Sequence, residues 1–313
     1  MKTENLLFYV FYVILFLEAF KKEEINRMNV LSLFDGISVG HLALDDAGID
    51  VEKYYASEIN KRSISITQAN YPKTIQLGSV ENWKEWNIDW EKIDLLIGGS
   101  PCQNLSFAGN QEGLSGSKSG LFFMYRDILN HLKKVNPKIL FLLENVNCKK
   151  ESLDVITKNM GVQPVRINSN LVSAQNRDRF YWTNIRGGDI PQPVNKGIIL
   201  SDILRKEDDG HYPLSKKHYK AFLKSYPNWK DSPRSGKAKP LLASYYKQPP
   251  HCPYISDSLS ESGFRRLSPI ESERCQTLPD NYTYVDGISN SARWEAIGNG
   301  WTMKVISHIF SFI

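Results

Sequence analysis

Four cysteines in 313 residues, at 102, 148, 252 and 275, form no CxxC pair and show no metal-ligand spacing. That excludes a zinc module and a disulfide-stapled scaffold, and it predicts no metal. A chain this long does not need disulfides, so a reducing cytoplasm is the expected compartment, where a working thiol survives. No G-x-G-x-x-G opens a helix after a strand, which removes the pyrophosphate cradle of a nicotinamide oxidoreductase. Low-complexity tracts are absent, and 41% apolar with 23% charged residues is a globular composition. Charge of one sign is scarce as well: a net charge of +5 and a pI near 8.8 permit a polyanionic partner without demanding one. A membrane-length apolar run is also missing. Leu6–Leu17 is twelve residues long, too few to span a bilayer as a helix. Lys2 is the single basic residue before it and no small-x-small site follows, so it does not read as a signal peptide. Met28 directly precedes the first core strand, and residues 1–27 are therefore expected to be an extension upstream of the true start. A membrane tether and an amphipathic docking helix are the alternatives.

What is present is an alternation of strand and helix from residue 29 onward. Val30–Phe34, Val51–Ser57, Thr74–Leu77, Lys92–Ile97, Ile139–Leu143, Val165–Val172 and Arg179–Asn184 read as strands. His41–Ala47, Lys61–Asn70 and Phe122–Lys134 read as helices. This is the pattern of a doubly wound, Rossmann-like α/β domain, whose ligands sit beyond the carboxyl ends of the strands. Past Gly187-Gly188 the alternation stops. Residues 188–264 are rich in Pro, Lys, Ser and Tyr, order returns near Phe264, Ile270–Gln276 reads as a short helix, and Arg293–Ile313 reads as an amphipathic helix returning to the first domain. The expected division is an extension at 1–27, a catalytic domain at 28–187, a small irregular recognition region at 188–289 and a terminal helix at 290–313. From Arg205 to Lys247, eleven basic residues stand against four acids, with Tyr212, Tyr219, Tyr226, Trp229, Tyr245 and Tyr246 interleaved. Basic plus aromatic suits a nucleic-acid surface, and a solvated lysine-rich face reads equally well.

The chemistry lies at strand ends. Pro101-Cys102-Gln103 follows the apolar strand that ends in Gly98-Gly99-Ser100, so the thiol is presented on a turn. Glu144-Asn145-Val146 ends the next strand. A thiol and a carboxylic acid at adjacent strand ends make a site for covalent attack assisted by a proton donor. Cytosine is unreactive at C5, but a thiolate added at C6 turns C5 into an enamine-like nucleophile, and an acid at N3 drives that addition. Singly, Cys102 also reads as a structural cysteine and Glu144 as a strand-end ion pair. Phe34-Asp35-Gly36-x-x-x-Gly40 lies between strand and helix: an aromatic to stack on adenine, and an acid that repels phosphate but can pair with an amine. Glu58 at the tip of the second strand is placed for ribose hydroxyls. Together they suit an adenosyl ligand such as S-adenosylmethionine. In the run from Gln175 to Arg179, Gln175, Arg177 and Arg179 share a face of an extended segment, aimed at a thiolate or a phosphate.

With Gly120-Leu121-Phe122, Arg266-Leu267-Ser268-Pro269-x-Glu271 and Gly298-Asn299-Gly300, these segments stand in the order of one family. The chain resembles a DNA (cytosine-5) methyltransferase over roughly residues 29–185 and 264–313. The resemblance implies an S-adenosylmethionine-dependent methyltransferase sheet, a target-recognition domain, and methylation at C5 of a flipped cytosine through a Cys–C6 adduct. It implies Cys102 as nucleophile, Glu144 as N3 proton donor and Arg177 as support for the loop and base. It implies Phe34, Asp35, Gly36, Glu58, Ser79, Val80, Pro101 and Asn299 at the cofactor, and Gln103, Ser106, Gln175, Arg179 and Arg266 on DNA. The loop Gln103–Ser119 is the expected moving element over the base. Two departures stand out. Ser79 occupies a position where the family carries an acid, and Trp301 replaces a small or aliphatic residue, as in a subset that includes phage and eukaryotic de novo enzymes. The short recognition segment argues for one short target site, with its basic residues on phosphates. The implied partner is duplex DNA, with a restriction endonuclease as a functional counterpart and no membrane, the enzyme acting as a monomer in restriction–modification or in phage or host DNA protection. A transferase acting on tRNA cytosine and a non-catalytic DNA-binding homologue are the alternatives.

Overall fold

The computed structural model describes residues 27–100, 120–205 and 211–313. Pro101, Cys102, Gln103 and Ser106 lie outside the described residues, as does the loop that contains them. The first domain runs β1 (Arg27–Leu33), α1 (Val39–Asp46), β2 (Asp50–Ser57), α2 (Lys61–Asn70), β3 (Ile75–Gln76), β4 (Leu95–Gly99), α3 (Gly120–Val135), β5 (Leu140–Val146), α4 (Lys150–Met160), β6 (Val165–Asn168) and β7 (Asp178–Thr183). Seven strands form one sheet in the order β3-β2-β1-β4-β5-β7-β6. Strands β1 to β5 pair in parallel, and β7 lies antiparallel between β5 and β6.

The sequence explains the layering. Leu95, Leu96 and Ile97 are apolar on both faces, as a central parallel strand requires. Val30, Ile97 and Leu142 face one layer, where Ala43 and Leu44 of α1 pack. Leu31, Leu96 and Phe141 face the other, filled by Tyr125, Leu129 and Leu132 of α3 and Ile156 and Met160 of α4. Strand order reverses between β1 and β4, which opens a crevice at their carboxyl ends. Helix α4 is a finding beyond the sequence reading. Its apolar stripe is thin, and Gly161 closes it in the left-handed conformation at φ 74°.

The second region is built from α5 (Lys216–Ser225), β8 (Tyr254–Ser256), β9 (Phe264–Arg266) and α6 (Pro269–Cys275), followed by α7 (Asn290–Asn299) and α8 (Met303–Phe310). Its core joins Leu214, Phe222, Leu241, Tyr245, Tyr254 and Leu267 to Ala174, Trp294 and Ile297, which lie outside 188–289 in sequence. Most of the interleaved aromatics are core, not surface. Tyr245 is fully buried, and Trp229 packs edge-on to Phe264 at 5.3 Å and to Tyr254 at 5.9 Å. Tyr226 is the exception, exposed at the end of α5. The terminal segment is two helices instead of one. The chain leaves α7 at Gly300 and restarts at Met303, and α8 then buries Val305, Ile306, Ile309 and Phe310 in the layer of α1. Each such side chain contributes roughly 1.5–3 kcal/mol of transfer free energy. Among the described residues, no helix is long and apolar enough to cross a membrane.

Main-chain contacts tie the two regions. Ala238 donates to the Ala174 carbonyl at 2.7 Å and accepts from Asn176 at 2.9 Å. The Lys237 ammonium donates to the carbonyls of Asn170 at 2.7 Å and Ser173 at 2.9 Å, and to that of Ile198.

Candidate active site

A cavity of about 340 Å³ opens at the carboxyl ends of β1, β2, β4 and β5. Phe34, Asp35, Gly36, Glu58, Gly99, Ser100, Glu144, Arg177, Arg179, Asn299 and Trp301 are on its wall. The loop after β1 turns through three left-handed residues, Phe34 at φ 56°, Gly36 at φ 63° and Ser38 at φ 55°. For phenylalanine that conformation costs about 1–3 kcal/mol, and it turns the chain back beneath the cavity.

The two acids of this corner are held differently. Glu58 is locked by main chain: Oε2 accepts from Gly36 N–H at 2.8 Å, and Oε1 from Ile59 at 2.7 Å and Asn60 at 2.8 Å. The Asn60 side chain in turn caps α2 on the amides of Arg62 and Ser63. The first amides of α2 are thus already paired, which disfavours phosphate here and leaves acceptors for hydroxyls. Asp35 accepts from Ser38 Oγ at 2.5 Å and from the Tyr54 hydroxyl at 2.8 Å. The residue keeps a little surface open to the cavity while its carboxyl is enclosed. Burial pushes that carboxyl above the usual aspartate range; hydrogen bonds from Ser32, Ser38 and Tyr54 hold it back, and Glu58 adds to the rise. Ionised Asp35 is therefore costly unless a cation joins it. Ser79 and Val80 do not line the cavity. Ser79 caps the turn that follows by accepting from Glu81 N–H, and Val80 is buried beneath.

Glu144 is 9% exposed at the end of β5, level with Gly99 on β4. The Trp301 indole donates from Nε1 to Oε2 at 3.1 Å. Arg179 Nε lies 2.9 Å from Oε1 as an ion pair, but its N–H misses the oxygen and makes no hydrogen bond. Gly99 is required by this approach: a β-carbon there would lie 2.9 Å from both Glu144 Oε2 and Trp301 Nε1. Gly99-Ser100 lead directly into Pro101-Cys102. The other cysteines are buried. Burial pushes the Cys252 thiol up to about 12, and that of Cys275 higher still, so neither is a nucleophile at neutral pH.

The profile of C-5 cytosine-specific DNA methylases matches residues 28–313. The chain belongs to this family. This methylase is 27% identical over 308 residues to the type II methyltransferase M.NlaX of Neisseria lactamica, across 90% of its own length and 94% of the relative's. It is 29% identical over 299 residues to the orphan methyltransferase M.Rho11sI of Bacillus phage rho11s, a match over 88% of this chain and 53% of the phage protein. Its fold is that of the Entamoeba histolytica methyltransferase EhMeth, with a TM-score of 0.71 at 18% identity over 91% of this chain and 97% of the other. The Dnmt2 methyltransferase of Schizosaccharomyces pombe superposes at a TM-score of 0.66 and 17% identity over 91% and 97%.

The methylase places the Gln175–Arg179 run along one line but gives its members separate duties. Gln175 is fully buried; its amide donates to the Cys275 carbonyl at 2.7 Å and to Gln276 Oε1 at 2.8 Å, and its oxygen accepts from Leu241 N–H at 3.2 Å. That environment corrects the expected DNA contact: Gln175 is an internal strut. Arg177 donates to the carbonyls of Leu241 at 2.8 Å, Gly298 at 3.1 Å and Gly300 at 3.0 Å, so it holds the recognition region and the α7–α8 break together. Arg179, expected on DNA, is the member beside Glu144. Arg266 stacks its guanidinium 4.4 Å from the centre of the Trp294 ring and is half-buried in the second region. Asn299 is exposed at the cavity lip. Sequence reasoning noted Trp301 only as a departure and gave it no role. Its signal was present in the ring that follows the Gly298-Asn299-Gly300 break. Among the described residues, no cluster of His, Cys, Asp and Glu could hold a metal.

Proposed function

We propose that this methylase transfers a methyl group from S-adenosylmethionine to C5 of a flipped cytosine within one short duplex sequence, in restriction–modification or in phage or host DNA protection. The carrying observation is Glu144, placed between Arg179 and Trp301 on the cavity that Phe34 and Glu58 also line, beside the strand end that leads to Cys102. The residues fit the cofactor by their chemistry. Phe34 offers a face to adenine, Glu58 accepts ribose hydroxyls, and the enclosed Asp35 gains from a nearby cation.

Bound S-adenosylmethionine supplies an electrophilic methyl group. Cys102 Sγ, as thiolate, adds to C6 of the base, and the ring's C5–C6 electron pair becomes available at C5. Glu144 hydrogen-bonds N3 as an acid and takes up the charge that this addition pushes into the ring. Arg179 sets its positive charge beside the same carboxyl. After C5 gains its substituent, a water molecule takes the C5 proton, the double bond re-forms and Sγ is expelled as the thiolate, and Glu144 recovers its proton from N3. The recognition region, fastened through Arg177 and Lys237, holds the duplex over the cavity.

Bisulfite sequencing of DNA from a methylation-deficient host expressing the chain tests this reading. Protected cytosines in one recurring context are expected, and Cys102→Ser should remove all protection while S-adenosylmethionine binding persists. No protected cytosine from a soluble, cofactor-binding protein would overturn it and move the substrate to RNA.

A further inference from the structure

Arg179 presents an anomaly. Its Nε is buried and only 2.9 Å from a carboxylate oxygen, yet its N–H has no hydrogen-bond partner. A buried donor left unpaired costs its desolvation, and a small turn of the Glu144 carboxyl would remove that cost. Something holds the carboxyl off line. The Trp301 indole, a donor only, has fixed Oε2 at 3.1 Å. The indole itself has little freedom. The carbonyl of Gly300 is gripped by Arg177 at 3.0 Å and Gln276 at 3.2 Å, and the ring lies against Gly40 and Gly99, where β-carbons would fall 3.4 Å and 2.9 Å from it.

We propose that Trp301 is a positioning residue for this reaction: its N–H holds Oε2 and keeps Glu144 out of a closed, hydrogen-bonded ion pair with Arg179, so that the Glu144 carboxyl stays available to the pyrimidine edge. The inference rests on the covalent cytosine chemistry above and deepens it. Without the indole N–H the carboxyl rotates onto Arg179, the two groups satisfy each other, and the base no longer finds the acid. The loss falls on the acid-assisted addition step, not on binding.

Trp301→Phe in the full chain removes the donor and keeps an aromatic ring. Because the smaller ring also leaves space, a second variant carries 3-benzothienylalanine at position 301, in which sulfur replaces N–H within the same bicyclic outline. At saturating S-adenosylmethionine and DNA, single-turnover methylation should fall about 10- to 100-fold in both, with dissociation constants within twofold of wild type for the benzothienyl variant, whose ring keeps the cavity wall. The decisive substrate is duplex DNA with pyrimidin-2-one at the target position. That base lacks the 4-amino group and is more electrophilic at C6, so thiolate addition needs less acid. Formation of the denaturation-resistant complex on it should show a much smaller loss for both Trp301 variants, as it should for Glu144→Gln. Equal losses on the two bases, or full activity of the benzothienyl variant, would overturn the role of Trp301 while Glu144 keeps its own if Glu144→Gln is relieved. A Glu144→Gln loss that is not relieved would sink the acid reading, and this proposal with it.

Discussion

The buried acids in the two regions of the molecule are treated in opposite ways. Among the described residues of the second region, every carboxylate oxygen of the buried acids Glu271 and Glu273 is used. Glu273 accepts from Arg293 at 3.0 Å, from the Thr283 amide and hydroxyl, and from Asn281 N–H. Glu271 receives both guanidinium arms of Arg265, at 2.7 and 2.9 Å, with Ser268 N–H and Arg205 N–H. At the cavity the account is left short. Among the described residues no cation reaches Asp35, and Arg179 and Glu144 touch without bonding. Saturated acids organise a region that has little regular secondary structure to lean on, whereas the incomplete acids lie at the cavity, where a ligand finishes the job. The contrast separates architecture from chemistry better than burial alone, since both sets are buried.

This contrast can be broken from either side. The largest expected effect is on stability. Glu273→Gln leaves Arg293 buried without its charge partner and should cost about 3–5 kcal/mol in urea denaturation, while turnover per folded molecule changes little. Glu144→Gln should do the reverse: kcat should fall about 10²-fold or more with the denaturation midpoint unmoved. A parallel fall in stability would show that Glu144 belongs with the saturated set. Glu271→Gln sharpens the picture through pH. Burial alone would raise this carboxyl, but the Arg265 hydrogen bonds and charge, with the Ser268 and Arg205 amides, outweigh it and hold Glu271 below the ordinary glutamate range. A depressed folded-state value adds stability above the unfolded pKa and loses it as pH falls through the folded one. Wild type should therefore exceed the variant by about 2 kcal/mol at pH 7, and the gap should close below a pH of about 4. The smallest effect is expected from Asn60→Ala, about 1 kcal/mol from the lost cap on α2, with S-adenosylmethionine affinity weakened because the cap neighbours Glu58. Isothermal titration would show an unchanged affinity if that corner does not meet the ligand.

Much of this organisation was readable in the chain. The continuous apolar run Ile139–Leu143 read as a buried central strand, and Glu144 was legible because it directly ends that run, while Glu58 stood out at the tip of the strand that closes with Tyr54-Tyr55-Ala56-Ser57. Helix α4 escaped because four apolar residues, Leu153, Val155, Ile156 and Met160, scattered over a polar segment make a weak stripe. The single terminal helix failed at Gly300, where the tertiary grip of Arg177 and Gln276 on a carbonyl, invisible to periodicity, breaks the element. The same limit governs the arginines. Alternation put Gln175, Arg177 and Arg179 on one face, but only the fold reveals that the face crosses a domain joint, so that the first is buried, the second binds carbonyls and the third reaches Glu144.

The joint between the regions has a consequence for engineering. Arg177 and Lys237 grip carbonyl oxygens, and Ala174, Asn176 and Ala238 pair through main chain. Such a fastening reads the course of the backbone and is largely indifferent to the side chains it carries. A recognition segment transplanted from another methylase would need to bring a lysine at the place of Lys237 and a backbone that follows the course at Ala238 and Leu241 to seat correctly, leaving its outward side chains free to specify a new target.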